Sequence, residues 1–147
     1  MRCNDAGIEI IKHFEGWSAK AYQDPIGIWT IGYGSIWDLD GERVTGSTPV
    51  LTEAEGEQLL RRELHHVEKA VSRLILVELT ENAFSSLCSF TYNLGSTRLK
   101  SSTLRAKLNR GDYMGASAEF PKWRRAGGRI LPGLVRRRVE ERKLFEA

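Results

Sequence analysis

The sequence is poor in cysteine, with only Cys3 and Cys88 among its 147 residues. Two cysteines cannot build the multi-bridge disulfide framework that stabilises small secreted domains. We therefore expect two free thiols in a reducing cytosol. Cys88 lies in an apolar stretch with helical spacing and has no histidine or other base spaced around it, so it is predicted to be a small core residue and not a nucleophile.

Long apolar runs are also missing. The longest runs, such as 74–77, are far shorter than the roughly 20 residues that a membrane-spanning helix needs. The first residues show no charged start followed by an apolar stretch and a cleavage site, so no export signal is predicted. We expect a protein made in the cytoplasm without a stable membrane anchor.

A strong excess of one charge is absent as well. The formal net charge is +3, with basic residues concentrated in 122–125 and 136–138. This balance favours an anionic partner such as nucleic acid, acidic lipid or the bacterial envelope. Because Glu140, Glu141 and Glu146 follow the second basic cluster, it is interpreted as a solvated helix face, and nucleic-acid binding is not predicted.

No metal or other cofactor is predicted either. His65 and His66 are adjacent on a predicted helix, where neighbouring side chains point apart and cannot share a metal ion. The acidic loop 38–42 lacks the continuing ligand spacing of a calcium loop.

The hydrophobic spacing predicts a helix, a small sheet and a long helix, in that order. Apolar residues recur at helical spacing from about Asp5 to Glu15. Aromatic, β-branched and glycine residues then indicate an antiparallel hairpin or meander from Tyr22 to Trp37, and 38–49 is predicted to be loop. Thr52 and Glu55 form a capping box that begins the longest helix, whose apolar stripe ends at Leu74.

A largely helical remainder follows the long helix. Helices are predicted from Thr80 to a stop at Gly95, and then over 102–108, 112–120 and 134–145. Segregated elements of this kind predict a single domain of α+β class, predominantly helical. We expect a small β lobe at about 16–51, a linking helix at about 52–77 and a helical lobe at about 78–147 that includes the first helix, with a ligand cleft between the lobes.

Three polar residues cluster where the first helix gives way to the sheet: Glu15, Asp24 and Thr30. Glu15 lies in the last helical turn, where the helix dipole and apolar neighbours disfavour its charged form, so it is suited to donate a proton. Asp24 precedes Pro25 in a solvent-open turn, where a carboxylate stays charged. Two carboxyl groups with opposed protonation states are the equipment of a glycoside hydrolase.

Strand alternation adds a second indication. Thr30 shares a strand face with Gly32 and Gly34, which lack side chains, so a sugar ring could approach the backbone there. A glutamate at a helix end and an aspartate before proline are nevertheless common in soluble domains, and purely structural roles stay open on the residues alone.

Several motifs resemble one known family. The stretches 14–17, 21–24 and 29–34 are similar to the active-site signature of phage lysozymes, the endolysins of glycoside hydrolase family 24. The spacing of Glu, eight residues, Asp, five residues and Thr matches the catalytic triad of that family. The stretches 90–95, 102–104, 123–128 and 131–134 resemble family members in the same order, so the similarity covers nearly the whole chain.

The resemblance implies a lysozyme-like two-lobed fold and an inverting muramidase. Glu15 would be the general acid, while Asp24 and Thr30 would position and activate the attacking water. The bond cleaved would be the β-1,4 link between N-acetylmuramic acid and N-acetylglucosamine in peptidoglycan. The two carboxyl groups should then lie roughly 6.5–9.5 Å apart.

The resemblance also implies binding residues and a setting. Gly32, Tyr33 and Gly34 would contact substrate. A late arginine pairs with the catalytic glutamate in some relatives; Arg136, Arg137 and Arg138 are all candidates, and Arg137 is taken as the substrate-binding one. The enzyme would be a monomer with no cofactor, made in the host bacterial cytoplasm and reaching the wall after the membrane opens.

Three other functions compete with this prediction. A lytic transglycosylase needs an acid but no second carboxylate, so Asp24 and Thr30 argue against it. A wall-binding module without turnover would not need an intact triad. A nucleic-acid binder would depend on the late arginines and would bind DNA in a salt-sensitive way.

Overall fold

The computed structural model describes all 147 residues, and most of them are helical. Seven helices and two small antiparallel sheets make up the chain, which confirms the predicted α+β, predominantly helical class. The elements are α1 (Asp5–Glu15), β1 (Ser18–Gln23), β2 (Trp29–Gly32), α2 (Glu53–Leu74), α3 (Glu81–Leu94), α4 (Ser96–Ser101), α5 (Thr103–Asn109), α6 (Tyr113–Ser117), a 3₁₀ turn (Phe120–Lys122), β3 (Arg125–Ala126), β4 (Arg129–Ile130) and α7 (Pro132–Glu146).

The helix starts follow the capping signals. At the start of α2 the Thr52 amide donates to Glu55 Oε1 at 2.9 Å, and the Glu55 amide donates to Thr52 Oγ1 at 3.2 Å, which confirms the capping box. With 22 residues α2 is the longest helix, as predicted. Thr80 caps α3 by accepting a hydrogen bond from the Ala83 amide at 3.0 Å.

Several short elements were not predicted from the sequence. Strand β1 begins at Ser18, four residues before the predicted hairpin, and α4 follows at once after the Gly95 at which helix α3 stops. The β3–β4 hairpin has two-residue strands joined by Gly127 and Gly128, both with positive φ, as a tight hairpin turn requires. Elements of two to six residues carry too few side chains to establish a hydrophobic period.

The chain divides into two compact units, one of residues 15–64 and one of residues 1–14 together with 65–147. In the first unit, β1 and β2 pair antiparallel around a small apolar core. The pairs are Tyr22 with Thr30 and Gln23 with Trp29, followed by an irregularity before Ser18 pairs with Gly32. The core residues are Ile31, Val44, Leu51 and Leu59.

The second unit is built around α3, whose residues 83–91 are all buried. Helix α7 packs chiefly against it. Arg137, Arg138 and Glu141 of α7 are buried in this contact, so the predicted solvated face is wrong for these three residues. They are buried because Glu141 pairs with both guanidinium groups, at 3.2 Å from Arg137 Nε and 2.7 Å from Arg138 Nε.

The chain has no helix that is both long enough and apolar enough to cross a membrane.

Besides Glu141, a second carboxylate is buried in the same unit, between α6 and the 3₁₀ turn. Glu119 is buried, and its Oε2 accepts hydrogen bonds from Lys122 Nζ at 2.6 Å and Lys107 Nζ at 3.0 Å. The hydrogen bond from Lys122 is the main cause that lowers the pKa of Glu119, with Lys107 adding to it and burial opposing it.

Replacing Glu119 by Gln should therefore destabilise the protein in a pH-dependent way. Because the pKa of the folded state is lowered, the carboxylate stabilises the fold above the unfolded pKa of about 4.3, and this contribution is lost as the pH falls through the folded pKa. We expect Glu119→Gln to lower the free energy of unfolding by about 1.5–3 kcal/mol at pH 7. Denaturant melts at pH 7 and at pH 3 should show the difference from wild type shrinking in acid.

Glu140→Gln is the matched control, since Glu140 is exposed and lies 3.4 Å from Lys143 Nζ. It should change the free energy of unfolding by less than about 1 kcal/mol at either pH. An effect of Glu119→Gln that is equally large at both pH values would contradict the interpretation.

Candidate active site

Glu15 is the last residue of α1, where Gly16 with φ 77° ends the helix. The side chain is partly buried. Its Oε1 atom lies 3.2 Å from the point that a Cβ on residue 34 would occupy, and residue 34 is a glycine with φ 92°. The carboxylate is thus held against backbone that no larger residue could replace without moving it.

Asp24 lies in the turn directly after β1, and the turn is pinned by its own side chain. Oδ1 accepts hydrogen bonds from the amides of Ile26 at 3.0 Å and Ile28 at 2.9 Å. The Asp24 amide also donates to the Ile28 carbonyl at 2.8 Å, which extends the hairpin by one pair. With Oδ1 engaged twice, Oδ2 is the oxygen that can accept a proton from a ligand or water.

Thr30 lies on β2, directly opposite Tyr22. It is 6% exposed, and its hydroxyl donates to the Ile28 carbonyl at 3.1 Å, so the lone pairs of Oγ1 are left to accept. Asp24 and Ile28 form the next-but-one pair after Tyr22 and Thr30. Because side chains alternate along a strand, this register favours a common face of the hairpin for Asp24 and Thr30, as diagonal neighbours.

Tyr22 is a neighbour of this pair that the sequence analysis did not single out. It is 41% exposed and shares the face of Thr30. An exposed tyrosine has an apolar ring and a polar tip, which suits it to a binding surface. The alternation within 18–23 was the available signal, and it was missed because the strand was predicted to begin only at residue 22.

The residues at the end of β2 and directly after it, Gly32 and Tyr33, pack against other residues of the same unit. A Cβ on Gly32 would lie 3.5 Å from Leu51 Cδ1 and 3.8 Å from Trp17. Tyr33 is buried, its ring lies 4.9 Å from that of Trp17, and its hydroxyl donates to Glu53 Oε1 at 3.1 Å. Trp17 in turn lies over Gly56 of α2, where a Cβ would come within 2.1 Å of the indole.

Arg137 belongs to the other unit. It is 2% exposed, its Nη2 donates to the Ser89 carbonyl at 3.1 Å, and its guanidinium carbon lies 6.0 Å from the centre of the Phe14 ring. Arg138 donates through Nη2 to Asn93 Oδ1 at 2.8 Å, whereas Arg136 is exposed. Substrate contact by Arg137, and likewise by Gly32, Tyr33 and Gly34, stays a prediction.

Three or more histidine, cysteine, aspartate or glutamate side chains do not come together anywhere in the chain as a metal site would require.

Comparison with known proteins identifies the family. Residues 12–141 match the family described as Phage lysozyme. The chain belongs to the phage lysozyme family. This lysozyme is 42% identical over 152 residues to the endolysin of Acyrthosiphon pisum secondary endosymbiont phage 1, covering 100% of the chain and 99% of that relative. It is also 42% identical to the endolysin of Bacillus phage B103, covering 99% of the chain but only 54% of that longer relative.

A solved structure agrees with this membership. The crystal structure of a mutant P22 lysozyme superposes with a TM-score of 0.91 at 35% identity, covering 100% of this chain and 99% of the other. The predicted lysozyme-like fold is therefore confirmed. The protein is a muramidase, a glycoside hydrolase that acts on peptidoglycan in phage lysis.

Gly34→Ala tests whether the backbone next to Glu15 positions the carboxylate. The methyl group would strain a positive φ and would meet Glu15 Oε1 at 3.2 Å. We expect kcat on purified peptidoglycan to fall at least about tenfold, because Glu15 is the candidate acid and its displaced carboxylate would lose its productive geometry.

Gly111→Ala is the matched control, since Gly111 has φ 83° and nothing within 4 Å of its added Cβ. It should cost about 1–2 kcal/mol of stability, as any residue forced into this region does, and leave kcat unchanged. Equal kcat values for the two variants would refute the positioning role of Gly34.

Proposed function

We propose that this phage lysozyme hydrolyses the β-1,4 bond between N-acetylmuramic acid and N-acetylglucosamine, with Glu15 as general acid and with Asp24 and Thr30 holding the attacking water. The observation that carries the proposal is the hairpin register, which favours a common face for Asp24 and Thr30 while Glu15 lies against Gly34 of the same unit.

Glu15 suits the acid role because of where it lies. It is the last residue of α1, it is partly buried, and its Oε1 lies against the backbone at Gly34, so the carboxyl group is held in one place from which it can donate a proton to the leaving oxygen. Protonation of the glycosidic oxygen by a positioned acid contributes about 10²–10⁴-fold in rate.

Asp24 and Thr30 suit the activation of water. A water between them could donate one proton to Asp24 Oδ2 and the other to Thr30 Oγ1, whose own proton is committed to the Ile28 carbonyl. A lone pair on the oxygen of this water would then be directed at the anomeric carbon of the sugar. Asp24 as general base removes the proton that the water loses on attack.

This division of roles predicts inversion at the anomeric carbon. A direct attack by water requires roughly 6.5–9.5 Å between the two carboxyl groups, so that the water fits between base and sugar. A β-linked substrate would then release a product that is initially the α-anomer. Proton NMR of the fresh product distinguishes this outcome from retention.

The proposal extends to partners and setting. Peptidoglycan is the only partner that it requires, the enzyme acts as a monomer, and nucleic acid has no part in it. The enzyme is made in the host cytoplasm and reaches the wall once the membrane has been opened.

Glu15→Gln tests the acid. The amide keeps the size and polarity of the side chain but cannot donate the acidic proton. We expect clearing of a peptidoglycan suspension to fall at least about 100-fold with an unchanged melting temperature. Turnover at the wild-type rate would exclude Glu15 as the acid.

Asp24→Asn tests the base without disturbing the turn. Asparagine retains Oδ1, which can still accept from the amides of Ile26 and Ile28, but its second atom carries hydrogens and cannot accept a proton. Activity should be lost at near wild-type stability. Asp24→Ala removes both hydrogen bonds and should also lower the melting temperature, which separates the catalytic role from the structural one.

Mass analysis of the wild-type products excludes the nearest alternative. Hydrolysis leaves a reducing N-acetylmuramic acid end, whereas a transglycosylase leaves an anhydro end that is lighter by one water. Anhydro products would overturn the assigned role of the water.

A further inference from the structure

The two cysteines both lie in the second unit, which does not include the proposed catalytic residues. Cys3 precedes α1 and Cys88 lies on α3, and both are buried. Cys3 Sγ lies 3.9 Å from the Ser85 carbonyl oxygen, one helical turn before Cys88 on the same face of α3. Cys3 also exerts the largest influence on the pKa of the Cys88 thiol, raising it, which identifies the two side chains as neighbours.

Several contacts fix the position of Cys3. The Cys3 amide donates to Glu68 Oε2 at 2.6 Å, and the Asn4 amide donates to Ser85 Oγ at 2.8 Å. A Cβ on Gly7 would lie 2.6 Å from Cys3 Sγ, so the thiol occupies space that only a glycine leaves open. The segment before α1 is therefore tied to α2 and α3, with the Cys3 thiol against the turn of α3 that leads to Cys88.

We propose that Cys3 and Cys88 are a latent disulfide, closed when the folded lysozyme meets an oxidising thiol–disulfide couple. A thiolate of one cysteine attacks a low-molecular-weight disulfide such as oxidised glutathione, forming a mixed disulfide and releasing one reduced thiol. The second cysteine then attacks the protein sulfur and releases the other thiol. Two protein thiols are oxidised to one disulfide, and one small disulfide is reduced to two thiols.

The folded protein slows formation of the disulfide between the two cysteines. The neighbouring Cys3 and burial raise the pKa of the Cys88 thiol, so little thiolate is present while the site is closed. Reaction requires the segment around Cys3, which belongs to no helix or strand, to open first. Oxidation is therefore slow in the native state. It is favoured once the protein reaches an oxidising compartment, because disulfides form and persist outside the cytosol.

A bond between positions 3 and 88 closes a long loop. It would join the start of α1 to the most buried helix of the unit, and long loops give the largest gain from a cross-link in the chain-entropy description. The oxidised enzyme should be the more stable form in the wall compartment, while the thiol form suffices in the cytosol.

The test uses the full chain refolded from denaturant in glutathione redox buffers, which removes the kinetic barrier of burial. Intact mass, alkylation of free thiols and peptide mapping give the oxidised fraction as a function of the glutathione ratio. We expect the equilibrium constant for disulfide formation to be at least roughly thirtyfold higher in native buffer than in denaturant, with a melting temperature about 5–10 °C higher for the oxidised protein.

Cys3→Ser is the matched control, because it should leave Cys88 reduced and abolish both the mass change and the shift in melting temperature. Cys88→Ala serves the same purpose should the serine disturb packing. The proposal is overturned if glutathione adducts or intermolecular dimers form instead of the internal bond. It is equally overturned if the equilibrium constant in native buffer does not exceed that in denaturant.

Discussion

The helical unit depends on one buried carboxylate. Glu141 is fully buried and accepts a hydrogen bond from Ser89 Oγ at 2.5 Å in addition to its contacts with Arg137 and Arg138. The network joins the last helix to the central one, since Ser89 lies on α3. Removal of one member would leave a charge uncompensated in the core, which costs about 3–5 kcal/mol in buried pairs of this kind.

The proposed catalytic groups depend on much more local forces. All three lie within twenty residues, 15–34, and their positions follow from one short hairpin and the helix end before it. The turn is held by the Asp24 side chain itself, so the proposed base also shapes the loop that presents it.

Much of the fold could be predicted because its long elements carry strong periods and caps. Single residues or short motifs were enough to predict the start of α1, the capping box at Thr52 and the end of α3 at Gly95. The short elements α4, β3 and β4 were not, because a hydrophobic period needs more residues than they have. The buried state of Arg137 and Arg138 was missed for another reason, since charges on a helix predict exposure unless their partner is known.

The candidate triad could be predicted because its three residues lie at fixed spacing within one short part of the chain, but its surroundings could not. Nothing in the sequence indicated that Gly34 borders Glu15 or that Gly56 makes room for Trp17. Contacts of this kind join residues that are distant in sequence or lie across a turn, and only the folded backbone brings them together.

The division of the chain into units has a consequence for synthesis on the ribosome. Residues 15–64 are contiguous and emerge together, whereas the helical unit combines residues 1–14 with 65–147 and is completed only by α7. Most of α1, which carries Glu15 at its tip, belongs to the unit finished last. The nascent chain therefore lacks the complete helical unit, including the helices that pack around α1, until α7 has been synthesised.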